Sequence, residues 1–172
     1  HQLEDSKLVV NNTSLEMKSV SSRLGKKIIE LAHVSKAFDG VPVIMDFSYN
    51  VLRDDRIGII GENGSGKSTL LKLLTGELTP DSGSVEIGET VKIGYFSQEN
   101  EHMDKSLRVI EYICGIAHNV KTEDGYASAS QMLERFLFPP HMHSIPVERL
   151  SGGEQRRLYL LGILMGAPNV LL

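Results

Sequence analysis

A single cysteine, Cys114, excludes any disulfide within the chain. It stands in the apolar stretch 109–116, whose spacing predicts a half-buried helix and a packed thiol rather than a reactive one. No run approaches the roughly 18 apolar residues of a membrane-spanning helix, and the polar beginning is unlike a signal peptide. These absences together predict a cytoplasmic protein. The net charge of −4 gives no overall basic field that would hold a nucleic-acid backbone. One basic cluster, Lys18, Arg23, Lys26 and Lys27, reads as solvated linker charge. His141 and His143 have the spacing of a metal pair, but no third ligand stands near them in the sequence.

What is present is one domain's worth of ordinary soluble composition, 41% hydrophobic and 23% charged over 172 residues. Residues 1–25, rich in Ser, Asn, Lys and Glu, read as a linker or extension, and residues 26–172 as the folded part. Strand patterning begins at residues 28–34 and 43–52, with turns at Phe38-Asp39-Gly40 and Arg53-Asp54-Asp55. After the turn Thr79-Pro80-Asp81-Ser82-Gly83, residues 84–87 and 91–96 alternate as short strands and predict a hairpin-like pair. Leu107, Ile110, Cys114 and Ala117, then Met132, Leu133, Phe136 and Leu137, recur at helical spacing. A helical region over 105–138 follows, closed by Pro139-Pro140. A further helix runs from Gly152 through Met165, and a buried strand starts at Asn169-Val170.

The chemistry begins at residues 61–69, Gly-Glu-Asn-Gly-Ser-Gly-Lys-Ser-Thr, which satisfy the phosphate-loop pattern G-x-x-x-x-G-K-[ST]. The apolar run 56–60 precedes the loop and residues 70–74 follow it, predicting strand, loop and helix in that order. Context matters, because such a loop binds an anion only when its backbone N–H groups curl around it at a helix N-terminus, where the dipole favours negative charge. A Gly-rich turn would explain Gly61, Gly64 and Gly66, but not Lys67, Ser68 and Thr69. Lys67 can place its ammonium between β- and γ-phosphates. Backbone N–H groups from Asn63 through Ser65 to Thr69 take the remaining oxygen charge, and Ser68 offers its hydroxyl to Mg²⁺.

A second segment, Leu150-Ser151-Gly152-Gly153-Glu154, opens the last helix with Ser151 as an N-cap and two glycines exposing backbone N–H groups. Paired with the phosphate loop and with Gln98 between them, it resembles the signature of ATP-binding-cassette (ABC) ATPases. The resemblance is nearest to the soluble tandem-cassette ABC-F family, to its Uup-like members and especially to their second cassette. It is carried by residues 24–31, 91–99, 130–139 and 153–158 and covers residues 24–172. Glu154, where transporter cassettes more often have Gln, leans the same way.

That resemblance implies an α/β fold: a P-loop NTPase ABC cassette with a mixed core sheet, a small antiparallel β subdomain and a helical subdomain at about 100–150. It implies ATP and Mg²⁺ as cofactors, with Gly61 and Glu62 completing the loop. Gln98 would ligate Mg²⁺ and sense the γ-phosphate, Phe38 would stack on adenine, and Val43 would pack beside it. Ser151, Gly152, Gly153 and Glu154 would face the ATP of a second cassette in the same protein, so that two half-sites sandwich two nucleotides. In the family the strand starting at Val170 runs into an Asp, a water-polarising Glu and a switch His. None occurs by Leu172, so the chain is expected to be truncated and, alone, a weak ATPase or none. The implied target is a ribosome or branched nucleic acid. The alternatives are the ATP-binding subunit of a membrane transporter, paired with a permease, and a non-catalytic ATP-dependent interaction module.

Overall fold

The computed structural model describes residues 27–97 and 103–172. The expected extension over 1–25 and its basic residues Lys18 and Arg23 lie outside the described residues, as do Lys26 and Gln98.

Two long strands, β1 (Lys27–Phe38) and β2 (Val41–Leu52), form an antiparallel hairpin. Asp39 and Gly40 turn it at φ 49° and 79°, a left-handed pair that Asp and Gly tolerate better than other residues. β3 (Ser82–Ile87) pairs antiparallel with the other edge of β1, giving the order β2-β1-β3 of the expected β subdomain. Where the register slips along β1, His33 and Asp46 both take positive φ, and the His33 ring meets the Asp46 carboxylate at 2.7 Å. Gly83 crosses this bulge at φ 80°, where a Cβ would collide with the carbonyls of Ala32 and His33.

The hairpin predicted from residues 84–87 and 91–96 does not form. β3 joins β1, while β4 (Ile93–Gly94) pairs in parallel with β7 (Val170–Leu171). The Gly88 N–H donates to the Ile28 carbonyl at 2.9 Å and Val91 N–H to Gly88, so the β1 ladder ends in a turn that redirects the chain. Asn169 then fixes the new direction, accepting from Lys92 N at 2.7 Å and donating to the Thr90 carbonyl at 2.8 Å. The parallel pair is the core sheet of the described residues. Its β7 is not the buried strand that was expected, since Leu171 is 56% exposed.

Residues 56–60 also depart from expectation: they belong to no strand. An apolar run becomes a strand only where a neighbour takes its backbone N–H and C=O groups. Among the described residues no strand pairs with this one, and Ile60 is 97% exposed.

Helix α1 (Lys67–Thr75) packs Leu73 and Leu74 against Ile28, Ile29, Leu31 and Val34 of β1. A second core lies in the helical subdomain. There α2 (Val109–Ile116), α3 (Ala129–Arg135) and α4 (Gly152–Met165) bury Val109, Ile113, Leu133, Phe138, Leu158 and Leu161 together. The region 105–138 is not helical throughout. A hairpin of β5 (Asn119–Thr122) and β6 (Gly125–Ser128) separates α2 from α3. The alternation of Val120 and Thr122 with polar neighbours, and Gly125 at φ 118°, favour the hairpin over a continued helix. Among the described residues no helix is long and apolar enough to cross a membrane.

Candidate functional site

The phosphate-loop motif leads directly into α1, as its spacing predicts. Gly66 is the N-cap at φ 90°, and Leu70 N–H returns to the Gly66 carbonyl at 2.9 Å. No side chain caps the helix and no acidic residue occupies its first turn, so the first-turn N–H groups and the positive end of the dipole remain available to an anion. The motif needs Gly at 66 for space as well as for φ. A Cβ there would stand 2.8 Å from Cγ1 of Val43.

Lys67 folds over the loop rather than away from it. Its ammonium donates to the Gly61 carbonyl at 2.8 Å and to the Glu62 carbonyl at 2.6 Å, while Ser65 N–H closes back on Glu62 at 3.2 Å. Two of the predicted residues, Gly61 and Glu62, thus hold the cation in place. The loop opens on a cleft of about 270 Å³, walled by Val43, Ile44 and Phe47 of β2, by Ile59, and by Gly66 and Lys67. Asn63 and Gly64 form the exposed turn of the loop, and Ser68 stands exposed in the first turn of α1 with Thr69 half-buried behind it. The uncapped helix end, Lys67 and Val43 all border this one cleft, and these are the groups that could hold a phosphate chain. Ser68 is the hydroxyl that would hold Mg²⁺ there.

Val43, expected to pack beside Phe38, meets the phosphate loop at Gly66. Phe38 stands at the end of β1 beside the hairpin turn, 43% exposed, and is not among the residues walling the cleft. Gln98 cannot be placed, because it falls outside the described residues.

Ser151 caps α4 as its sequence predicts, within a reciprocal capping box. The Ser151 hydroxyl accepts from Glu154 N–H at 3.3 Å, while Glu154 accepts from Ser151 N–H and from its hydroxyl, both at 2.8 Å. These bonds, with the Arg157 charge as a lesser cause, hold the Glu154 carboxyl below the usual carboxylate range. Glu154 is thus engaged by its own helix end, whereas Gly152 and Gly153 are exposed and have open space where a Cβ would stand. No residue of α4 lines the cleft at the phosphate loop.

Sequence reading missed two clusters near these segments. The Phe96 ring meets both the Tyr159 ring, 5.6 Å away, and the Arg156 guanidinium, 5.4 Å from its centroid. Phe96 N–H also donates to the Leu172 carbonyl at 2.8 Å, so one residue joins the core sheet to the helix that carries the signature. The i, i+3 spacing of Arg156 and Tyr159 on α4 was the available signal. The second cluster is Lys36 with Asp81 at 2.6 Å, joining residues far apart in sequence. Of the histidine pair, His143 is bonded through its ring to the Phe138 carbonyl at 2.8 Å, a structural contact. No cluster of three metal-ligating side chains occurs among the described residues.

Comparison with known proteins shows the family. The model of the ABC transporter family matches residues 44–172. The chain is 52% identical over 159 residues to YfmR of Bacillus subtilis, an uncharacterized ABC transporter ATP-binding protein, covering 92% of this chain and 25% of that one. It is 36% identical over 152 residues to the ATP-binding protein Uup of Escherichia coli, covering 88% of this chain and 24% of the relative. It is 36% identical over 150 residues to the energy-dependent translational throttle protein EttA of Escherichia coli, covering 87% and 27%. The chain thus spans about a quarter of the length of these relatives. The structure of an ATP-binding subunit of an ABC transporter superposes with a TM-score of 0.67 at 20% identity, over 82% of this chain and 63% of that one, which shows the shared fold.

Proposed function

Because this chain belongs to the ATP-binding-cassette family, we propose that it is the nucleotide-binding part of an ABC-F type ATPase, Uup-like in sequence, whose ATP-driven closure acts on a ribosome or a branched nucleic acid. Members of the family bind ATP and Mg²⁺, and the phosphate loop of this chain is built for that task. The observation that carries the proposal is the pairing of an uncapped α1 end with Lys67 held over the loop.

In this reading Lys67 leaves the Gly61 and Glu62 carbonyls for the β- and γ-phosphate oxygens, and the N–H groups of residues 63–69 take the rest of the charge. Ser68 and Gln98 would hold Mg²⁺, which when bound would supply charge neutralisation to the phosphates. Phe38 offers the base an exposed ring, and Val43 fixes the wall between ring and loop. Gln98 would also report the γ-phosphate to the chain.

Ser151, Gly152 and Gly153 serve another nucleotide, the one held by a facing cassette. Their absence from the lining of this chain's own cleft supports that division. Gly152 and Gly153 stand exposed at a helix start, the same physics as the phosphate loop, while the Ser151 N–H is taken by the Glu154 carboxylate. Glu154 keeps Ser151 in register through the capping box. Closure of two such cassettes would exclude water and complete each site. Attack on the γ-phosphate needs a water-polarising carboxylate, which in the family resemblance comes after the strand begun at Val170.

A relative named as a translational throttle supports the ribosome as target, and the absence of a membrane-length helix among the described residues suits a cytoplasmic one. The test is cosedimentation of the natural full-length protein with ribosomes and, separately, gel shift of branched DNA, each with ATP and with ADP. ATP-dependent retention on either supports the clamp, and nucleotide-independent behaviour on both would refute it.

A further inference from the structure

The Phe38 ring is 43% exposed and has a cation over it. Lys36 and Phe38 stand two residues apart on β1, and the Lys36 ammonium lies 5.7 Å from the ring centroid. That ammonium is held from behind by Asp81 Oδ1 at 2.6 Å. The other oxygen, Oδ2, accepts from Ala37 N–H at 2.8 Å, and the Asp81 N–H donates to the Ser35 carbonyl at 2.9 Å. Asp81 is thus bonded to three consecutive residues of β1. Its partner Lys36 has a side chain only 14% exposed, against 49% for Asp81. A lysine that surrenders most of its hydration at a hairpin tip, fixed at its head and lying over a ring, is holding that ring.

We propose that Lys36, anchored by Asp81, is a positioning residue for the nucleotide base: it backs Phe38 so that the ring presents its free face as a rigid platform for a purine. The inference rests on the reading of Phe38 as the base-stacking residue and adds what makes it selective for a base-bearing ligand. Two effects contribute. The cation draws on the ring's electron-rich face and removes one of its two stacking surfaces, leaving a single site. Holding the ring before the ligand arrives also lowers the entropy lost on stacking. Neither effect reaches the phosphates, which belong to the loop at Gly61 to Thr69.

That separation sets the experiment. Affinities of the chain for ATP and for inorganic tripolyphosphate are measured by calorimetry with Mg²⁺ present, for the wild type, Lys36→Met, Lys36→Arg and Phe38→Ala. Lys36→Met keeps the aliphatic stem and loses the charge. It is expected to weaken ATP binding about three- to tenfold, through the ordering of the ring that is lost before the base arrives, and to leave tripolyphosphate unchanged. Lys36→Arg restores the ATP preference, and Lys36→Met adds nothing in the Phe38→Ala background. If Phe38→Ala lowers the ATP to tripolyphosphate ratio and Lys36→Met does not, the role of Lys36 is refuted while the platform stands. If Phe38→Ala leaves the ratio unchanged, the platform itself is refuted. Equal weakening of both ligands by Lys36→Met would show a merely structural lysine and also overturn the proposal.

Discussion

Val43 and Gly66 meet so closely that a Cβ on the glycine would stand 2.8 Å from Cγ1 of the valine and 3.3 Å from its carbonyl oxygen. The β subdomain therefore braces the phosphate loop directly, through one strand residue and one loop residue that takes φ 90°. Gly66→Ala meets both a filled space and a left-handed backbone, and overpacking of this kind costs about 1–3 kcal/mol. The expected outcome is a lower melting temperature together with weaker ATP binding. Val43→Ala in the same background relieves the contact and returns part of the lost stability, which a double-mutant cycle measures.

The capping box of α4 predicts a pH dependence. Glu154 is held below the usual carboxylate range by its bonds to Ser151, so its contribution to stability is present above the unfolded-state value and is lost as pH falls through the depressed folded value. Wild type and Glu154→Gln should therefore differ in melting temperature near neutrality and converge on acidification through the carboxylate range. A constant difference across that range would contradict the assignment. Ser151→Ala, which removes the other half of the box, is expected to destabilise by about 0.5–2 kcal/mol.

Leu158 is fully buried where α4 enters the core of the helical subdomain. Leu158→Ala is expected to cost about 2–5 kcal/mol in denaturant unfolding, the range for a large-to-small change in a close-packed interior. Loss of this residue should also loosen the signature at the start of the same helix, seen as faster amide exchange at Gly153 and Glu154.

These expectations show how far the sequence was legible. The loop at 61–69, the N-cap Ser151 and the end of α4 near Gly166 could be read locally, because turns, caps and phosphate loops are written within a few residues. The long strands β1 and β2 were legible for the same reason, with Asp39 and Gly40 marking the hairpin. Strand partners were not. Residues 56–60 have the composition of a strand but no neighbour among the described residues, and β3 and β4 share a turn but go to different sheets. The helical spacing across 105–138 masked the β5–β6 hairpin, whose signal is one short alternation and Gly125. Lys36 and Asp81, like Phe96 and Tyr159, meet only through tertiary packing, and nothing near either residue announces the other.

The most direct test of the account separates the two phosphate-facing segments. Calorimetry of Mg·ATP binding to this chain compares the wild type with Lys67→Ala and Ser151→Ala. Lys67→Ala should weaken binding about 10- to 100-fold, the equivalent of about 1.5–3 kcal/mol for hydrogen bonds to a charged group, whereas Ser151→Ala should leave it within about twofold. Unchanged affinity in Lys67→Ala, or an equal loss in Ser151→Ala, would contradict a cassette whose loop binds its own ATP and whose signature serves another.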